Sequence, residues 1–179
     1  MRIIAGTARG ARLTRVPAGT RPLSDRAREG LFSSLGELVA GARCADLFAG
    51  TGAVGIEALS RGAASCLFVD SGPVAIRTIR ENLGKTRLFE RARVVRADLR
   101  RRPVPRGPFD LAFLDPPHAF PTGILRGLLE QMGERLEPDA VIVLTRPARN
   151  PTDVIPVDWH VVKRLAYGDT RILLCREGP

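Results

Sequence analysis

The stretch Asp46-Leu-Phe-Ala-Gly-Thr-Gly-Ala-Val-Gly55 decides the fold, because it carries an apolar strand into a glycine-rich turn that opens a helix. The glycines at 50, 52 and 55 permit backbone torsions and close approaches that a Cβ would prevent. A turn of this kind after a buried strand predicts a site for a nucleotide-like cofactor. The same glycines fit the dinucleotide-binding pattern, so the turn alone leaves a nicotinamide dinucleotide and S-adenosylmethionine both open.

From this turn onward, short apolar runs alternate with helical stretches. We predict strands at 44–48, 66–69, 93–97, 109–114 and 140–144, with helices near 52–61, 73–83 and 124–136. An earlier helix would be capped by Ser24 or Asp25 and ended by Gly41. The alternation predicts an α/β fold, in which helices cover both faces of a parallel sheet. Two last runs, 159–165 and 170–175, flank Tyr-Gly-Asp and predict an antiparallel hairpin.

The length and composition are typical of a single soluble domain. A chain of 179 residues can bury one sizeable core but has little room for two full α/β domains. Apolar runs stay well short of the roughly 18 residues of a membrane span, and arginines stand where a signal peptide is apolar. We therefore expect a cytoplasmic protein without membrane association. Cys44, Cys66 and Cys175 lack metal-ligand or redox spacing, so we expect buried thiols.

Positive charge is concentrated near the N-terminus. The net charge is +9, and residues 1–30 contain seven arginines and two acidic residues, which leaves +5 there. Such an excess favours a polyanionic partner, RNA or DNA, because each phosphate contacted releases counterions. Apolar-polar stretches at 2–5 and 12–16, separated by glycines, predict a β-hairpin. We expect residues 1–22 to form a basic extension that contacts RNA, and residues 23–179 to form the main domain.

Two aspartates follow the second and third predicted strands. Asp70 lies 24 residues beyond Asp46, near the interval at which an acid binds ribose hydroxyl groups; the alternative is a cap for the helix at Pro73. Asp98 stands where a carboxylate could accept a hydrogen bond from an adenine amine. The arginines at 100, 101 and 102 follow directly, and they fit either contacts to RNA phosphates or a solvated basic loop.

The segment Asp115-Pro116-Pro117-His118 separates the two cofactor classes. Prolines fix φ and lack an N–H, so they form a stiff rim whose carbonyl groups remain available. An exocyclic NH₂ group on a base is a poor nucleophile, because its lone pair is delocalised into the ring. Asp115 and a proline carbonyl could bind its two hydrogens, orient the nitrogen and favour the developing positive charge. The alternative is an acidic turn that merely ends a strand.

Together these segments resemble a known family. The glycine turn followed by Asp-Pro-Pro is similar to class I methyltransferases that act on exocyclic amines of nucleic acids. The opening Met-Arg-Ile-Ile-Ala-Gly, residues 20–29 and Gly-Ile-Glu-Ala-Leu-Ser-Arg-Gly-Ala after the turn resemble the RsmD family of bacterial 16S ribosomal RNA guanine-N2 methyltransferases. The likeness runs from residue 1 to about residue 117 and returns weakly at the final hairpin.

The resemblance implies a Rossmann-like, seven-stranded, mostly parallel sheet, S-adenosylmethionine as cofactor, and a target amine held by Asp115, Pro116, Pro117 and His118. The residues that would contact the cofactor are Arg26, Asp46, Phe48, Ala49, Gly50, Thr51, Gly52, Asp70, Ser71, Asp98 and Leu99. The residues that would contact RNA are Arg9, Arg12, Arg15, Arg21, Arg28 and Phe120. The family usually has an aromatic residue at the position of His118, so either His118 or Phe120 would stack on the flipped base. The family also favours Thr at the position of Leu23.

Two other classes of protein fit parts of the sequence. The glycine triplet with Asp70 fits an NAD-dependent oxidoreductase, although the length leaves little room for a substrate domain. The basic N-terminus fits a non-catalytic RNA-binding module, in which Asp115-Pro-Pro would have no role. Our principal hypothesis is methyl transfer to guanine N2 of 16S ribosomal RNA, free or in the small ribosomal subunit, by a monomer that needs no metal.

Overall fold

The computed structural model describes residues 1–14, 23–149 and 152–178, and these contain eleven helices and strands besides short 3₁₀ turns. The helices are α1 (Asp25–Leu35), α2 (Ala53–Ser60), α3 (Pro73–Thr86) and α4 (Thr122–Gly133). The strands are β1 (Arg43–Leu47), β2 (Ser65–Asp70), β3 (Ala92–Arg96), β4 (Phe109–Leu114), β5 (Leu136–Pro147), β6 (Trp159–Tyr167) and β7 (Thr170–Glu177).

The strands form one sheet with the order β3-β2-β1-β4-β5-β7-β6. Strands β1 to β5 run parallel to one another, whereas β7 runs antiparallel to both β5 and β6. The predicted seven-stranded α/β sheet with its C-terminal antiparallel hairpin is therefore confirmed. Strand β1 lies between β2 and β4, and the strand order reverses there. The carboxyl ends of β1 and β4 consequently border the crevice in which open α/β sheets bind ligands.

Alternate residues of the parallel strands pack into two cores, one on each face of the sheet. Cys44, Phe68 and Phe113 face the core covered by α1, α2, α3 and the N-terminal residues. Leu47 and Leu114 face the core covered by α4 and by the connections around it. Burial on both faces explains why these strands are almost continuously apolar in sequence.

Helix α1 begins as predicted but ends early. The Ser24 side chain caps it by accepting a hydrogen bond from the Ala27 amide at 3.2 Å. The helix ends at Leu35 because Gly36 adopts φ 52° and ψ −126°, which helical residues do not. The prediction that the helix would extend to Gly41 is therefore wrong, and residues 36–39 form a 3₁₀ turn instead.

The N-terminal segment forms a smaller hairpin than predicted. Arg2 and Arg12 make an isolated antiparallel bridge, while Ile3 and Leu13 are buried in the core beside α1 and α2. The described part of this segment therefore shares the core of the main domain. The boundary at residues 22 and 23 stays a prediction, because residues 15–22 lie outside the described part of the chain.

A fully buried carboxylate on α2 holds this segment in place. Glu57 accepts hydrogen bonds from the amides of Ile4 at 2.8 Å and Ala5 at 3.0 Å, and from Arg61 Nε at 2.8 Å. Three donors to one carboxylate explain how a charged group can be buried in this core.

The three cysteines are buried and unpaired, as predicted. Burial raises the pKa of the Cys44 and Cys175 thiols to about 12, so both thiols stay protonated near neutral pH. Over the described residues, no helix combines the length and the apolar character that crossing a membrane requires.

Candidate active site

A cleft of about 600 Å³ opens at the carboxyl ends of β1, β2 and β4 and at the residues that follow β3. This volume is typical of a small-molecule site. Its lining residues are Phe48, Gly50, Thr51, Val69, Asp70, Ser71, Ala97, Asp98, Leu99, Arg100, Asp115, Pro116, Pro117, His118, Ala119, Phe120 and Pro121. The structure thus brings the glycine turn, the two strand-end aspartates and the Asp-Pro-Pro segment into one cleft.

The glycine turn is held from behind by Asp46. Its buried carboxylate accepts a hydrogen bond from the Gly55 amide at 2.9 Å, which ties β1 to the first turn of α2. Burial raises the pKa of Asp46 well above its usual range, and the nearby charges of Asp115 and Asp70 add to this. In the structure Asp46 supports the turn and does not line the cleft, and its predicted cofactor contact stays a prediction.

Gly52 and Ala49, which were also predicted to contact the cofactor, do not line the cleft. Gly52 has φ 75°, and a Cβ there would meet the Ile56 and Ile79 side chains at 3.3 Å. Both its backbone conformation and the tight packing therefore favour glycine.

Asp70 ends β2 and connects the glycine turn to α3. Its Oδ2 accepts a hydrogen bond from the Gly50 amide at 2.9 Å, and its Oδ1 accepts one from the Gly72 amide at 2.8 Å. Each carboxylate oxygen can accept a second hydrogen bond, and the residue lines the cleft. Asp70 bonds the Gly72 amide but does not cap α3 through its side chain. Its predicted contact to ribose hydroxyl groups stays a prediction.

Asp98 is paired with Arg100, a contact that the sequence analysis missed. Arg100 Nε lies 3.0 Å from Asp98 Oδ1, and Nη2 lies 2.9 Å from Oδ2. This bidentate contact lowers the pKa of Asp98, so the carboxylate is charged near neutral pH. Arg100 itself lines the cleft. The signal was an arginine two residues beyond a strand-end acid.

Asp115 directly follows β4 and lines the cleft. Its amide donates a hydrogen bond to the Leu47 carbonyl at 3.5 Å, which links the carboxyl ends of β4 and β1. Burial raises the pKa of Asp115 to about 7, although hydrogen bonding with Thr145 acts in the opposite direction. Thr145, the first polar residue after an apolar run in β5, was not predicted as a site residue.

The two prolines differ in what their carbonyl groups can do. The Pro117 carbonyl accepts a hydrogen bond from the Phe120 amide at 2.8 Å, which closes a turn. No donor within the described residues bonds the Pro116 carbonyl. The Pro116 carbonyl is therefore the acceptor that the rim leaves free for a ligand.

An aromatic pair forms part of the wall. The Phe48 and Phe120 rings are 4.9 Å apart at an interplanar angle of 75°, which is an edge contact. Phe48 has φ 65°, an uncommon conformation for a residue with a side chain. His118 is exposed and also lines the cleft.

Two predicted contacts from α1 find no place at the cleft. Arg26 is exposed but does not line the cleft, so its predicted cofactor contact has no support here. Arg28 is fully buried; its Nη2 donates hydrogen bonds to the Arg2 carbonyl and to Asp25 Oδ1, the latter at 3.0 Å. The prediction that Arg28 contacts RNA is wrong for this conformation, because its guanidinium group holds the N-terminal segment against α1.

The arginines predicted to contact RNA from the N-terminal segment are only partly described. Arg9 and Arg12 are exposed and do not line the cleft. Arg15 and Arg21 lie outside the described residues. RNA contacts by these four arginines stay predictions.

The strand order, the glycine turn after β1 and the Asp-Pro-Pro segment after β4 define a class I methyltransferase fold. A solved structure of yhhF from Escherichia coli superimposes with a TM-score of 0.86 at 30% identity, covering 99% of this chain and 98% of that one. A hypothetical protein from Thermus thermophilus superimposes with a TM-score of 0.76 at 34% identity, covering 97% and 98%.

The family model described as "Conserved hypothetical protein 95" matches residues 1–176, and the chain belongs to this family, the RsmD family. A curated relative, the Ribosomal RNA small subunit methyltransferase D of Escherichia coli, is 35% identical over 174 residues. That alignment covers 94% of this chain and 85% of the relative.

Proposed function

We propose that this protein transfers a methyl group from S-adenosylmethionine to the exocyclic N2 amine of a guanine in 16S ribosomal RNA. The observation that carries the proposal is the placement of Asp115 and the Pro116 carbonyl in the same cleft as the glycine turn and Asp70. The name of the Escherichia coli relative supports ribosomal RNA of the small subunit as the substrate. The reaction would take place in the cytoplasm.

The residues of the cleft fit S-adenosylmethionine. Gly50 and Thr51 would hold its methionine portion, the Asp70 oxygens can each accept a ribose hydroxyl, and Asp98 can accept from the adenine amine. The Asp98 oxygens that contact Arg100 also retain lone pairs for this purpose. When bound, the cofactor supplies a methyl group made electrophilic by the positively charged sulfur.

The target amine carries two hydrogens, so holding it in one orientation requires two hydrogen-bond acceptors. The Asp115 carboxylate and the Pro116 carbonyl provide them, and together they fix the direction of the nitrogen lone pair. As the nitrogen bonds to carbon it becomes positively charged, and the Asp115 carboxylate stabilises that charge in a partly buried site. With its pKa near 7, Asp115 can then take the proton that the nitrogen loses.

The exposed His118 ring would stack on the target base at the mouth of the cleft. Phe120 already makes an edge contact with Phe48, so its ring would form part of the cleft wall and would not stack on the base. An imidazole ring can stack on a base as an aromatic residue does.

The test uses small ribosomal subunits from cells that lack the gene, purified protein and labelled S-adenosylmethionine. The wild-type protein is expected to add one methyl group, mapped to a guanine N2. Asp115→Ala is expected to abolish transfer while leaving the cofactor Kd within about threefold, because Asp115 acts on the amine. Normal turnover by this variant would refute the role of Asp115.

The cofactor arm of the test separates the alternatives. Asp70→Ala is expected to weaken S-adenosylmethionine binding at least about tenfold, since buried hydrogen-bonded acceptors contribute on the order of 1–3 kcal/mol. Preferential binding of NAD would favour an oxidoreductase. RNA binding without any methylated product would favour a non-catalytic module.

A further inference from the structure

A second depression, of about 560 Å³, adjoins the cleft and lies between the loop after β3 and helix α4. It shares Leu99 and Arg100 with the cleft. Its lining residues are Leu99, Arg100, Arg101, Arg102, Pro103, Ile124, Gly127, Leu128, Gln131 and Arg135, and we call it the arginine groove. The groove and the cleft are therefore continuous at the point where the adenine amine is expected.

Two of the four arginine side chains in the groove have no hydrogen-bond or ion-pair partner among the described residues. Arg100 is paired with Asp98, and Arg135 bonds the Val104 carbonyl at 3.0 Å as well as Glu134. Arg101 and Arg102 are exposed, and their side chains make neither a hydrogen bond nor an ion pair within the described residues. The groove thus presents two free guanidinium groups, which are suited to bidentate contacts with phosphate.

The groove is open at Gly127 on helix α4. Gly127 lies within α4, where glycine costs about 1 kcal/mol relative to alanine, yet a Cβ there would meet nothing within 4 Å. Ile124, one turn earlier, is 38% exposed. A glycine in a helix that no neighbour crowds leaves room for a chain to lie across it. Helix α4 begins at Thr122, directly after the cleft residue Pro121, so the groove leads away from the site of the target amine.

We propose that the arginine groove binds the sugar-phosphate backbone of the RNA strand that flanks the target base. The identity of the polyanion rests on the proposed function, whereas the location of the binding surface rests on the groove itself. Arg101 and Arg102 contact phosphates, and the open face at Gly127 admits the strand. A base held at Asp115 then has its neighbouring backbone anchored on the same side of the sheet.

The first experiment reverses charge in the groove. The Kd of unmethylated small subunits is measured for Arg101→Glu/Arg102→Glu and for a control, Lys163→Glu/Arg164→Glu, two consecutive exposed cations on β6. The groove variant is expected to bind at least about tenfold more weakly and to lower the salt slope of log K by about 1 to 2, since each phosphate contact contributes roughly 0.7–0.9. Its Kd for S-adenosylmethionine is expected to stay unchanged. Equal weakening in both variants would overturn the proposal.

The second experiment fills the groove without touching an arginine. Gly127→Glu places a carboxylate on its floor, while Gly84→Glu makes the same change at an uncrowded helical position in α3. Both variants are expected to fold, because glutamate favours helix more than glycine does. Only Gly127→Glu is expected to weaken subunit binding, again at least about tenfold; unchanged binding would overturn the proposal.

The two proposals fail separately. If the wild-type protein methylates the subunit but the groove variants bind as it does, the groove proposal is wrong and the proposed function stands. If the wild-type protein binds subunits through the groove but adds no methyl group, the proposed function is wrong and the groove proposal stands.

Discussion

Asp115 carries the clearest pH dependence at the scale of single residues. Burial raises the pKa of Asp115 to about 7, so the carboxylate that would accept the amine in the proposed mechanism forms only as the pH rises through that value. We predict that kcat/KM for the RNA substrate rises with pH between about 6 and 8 and then levels off. Single-turnover rates measured from about pH 5 to 9 test this. A profile that is flat below pH 7 would contradict the assignment.

The same residue should make the folded state less stable as the pH rises. Its folded pKa of about 7 exceeds its ordinary value of 3.8, so ionisation disfavours the folded state increasingly above pH 4 and by a constant amount above pH 7. We predict that Asp115→Asn has a higher Tm than the wild type at pH 8. The difference should shrink as the pH is lowered towards 4, as measured by thermal unfolding in a pH series. A difference independent of pH would contradict the raised pKa.

The placement of residues at the cleft was predictable where position along a strand determines it. Asp70 ends β2, while Asp98 and Asp115 come just after β3 and β4. Parallel strands bring their carboxyl ends to one edge of the sheet, so the cleft was correctly predicted. The structural roles of Arg28 and Asp46 were not predicted, because their burial depends on α2 and the N-terminal segment, which only tertiary packing brings together. Sequence periodicity carries no signal for such contacts.

Asn82 connects three elements. From α3 its Nδ2 donates to the Thr51 carbonyl at 2.9 Å and the Thr14 carbonyl at 3.1 Å, and its Oδ1 accepts from the Thr14 amide at 2.8 Å. We predict that Asn82→Leu destabilises the protein by about 2–4 kcal/mol, because buried backbone groups lose their partners. It should also weaken cofactor binding, since Thr51 lines the cleft.

Denaturant unfolding and equilibrium cofactor binding measure these two effects. The control is Lys85→Ala, which removes only exposed contacts to Thr14 and Glu81. It should change the unfolding free energy by less than about 1 kcal/mol. Equal stability of Asn82→Leu and the control would contradict this role for Asn82.

Element boundaries were least predictable where the backbone leaves regular geometry. Strand β5 begins at Leu136 rather than near residue 140, because it includes a polar stretch in which Asp139 adopts φ 64° and the pairing with β4 shifts register. From the sequence we predict a helix near 124–136 and a strand from 140, and no element for the residues between them. A bulge allows the strand to include these polar residues. Because the bulge breaks the alternation of apolar and polar residues, the sequence pattern does not predict a strand there.

At the scale of the whole molecule, the N-terminal segment combines a packing role with exposed charge. Ile3 and Leu13 are core residues, whereas Arg9 and Arg12 are exposed. We predict that deletion of residues 1–14 lowers the Tm of the entire domain in one transition, because each buried apolar side chain contributes about 1.5–3 kcal/mol and Glu57 loses its amide partners.

Arg9→Ala/Arg12→Ala is the matched comparison. It should leave the Tm unchanged and weaken only the binding of small subunits, because it removes charge and no buried surface. Calorimetry and subunit binding separate the two roles. An unchanged Tm after the deletion would show that the segment is dispensable for folding.

Three aspartates, at 70, 98 and 115, line the cleft at one edge of the sheet in a chain whose net charge is +9. The protein therefore combines a positive overall charge with a locally negative cleft. Its overall field attracts polyanions from a distance and fades beyond a Debye length of about 8 Å at physiological ionic strength, whereas carboxylates inside a sheltered cavity act over a few ångströms on a cationic ligand. Added salt should thus slow capture of nucleic acid while leaving occupancy by the methyl donor almost untouched.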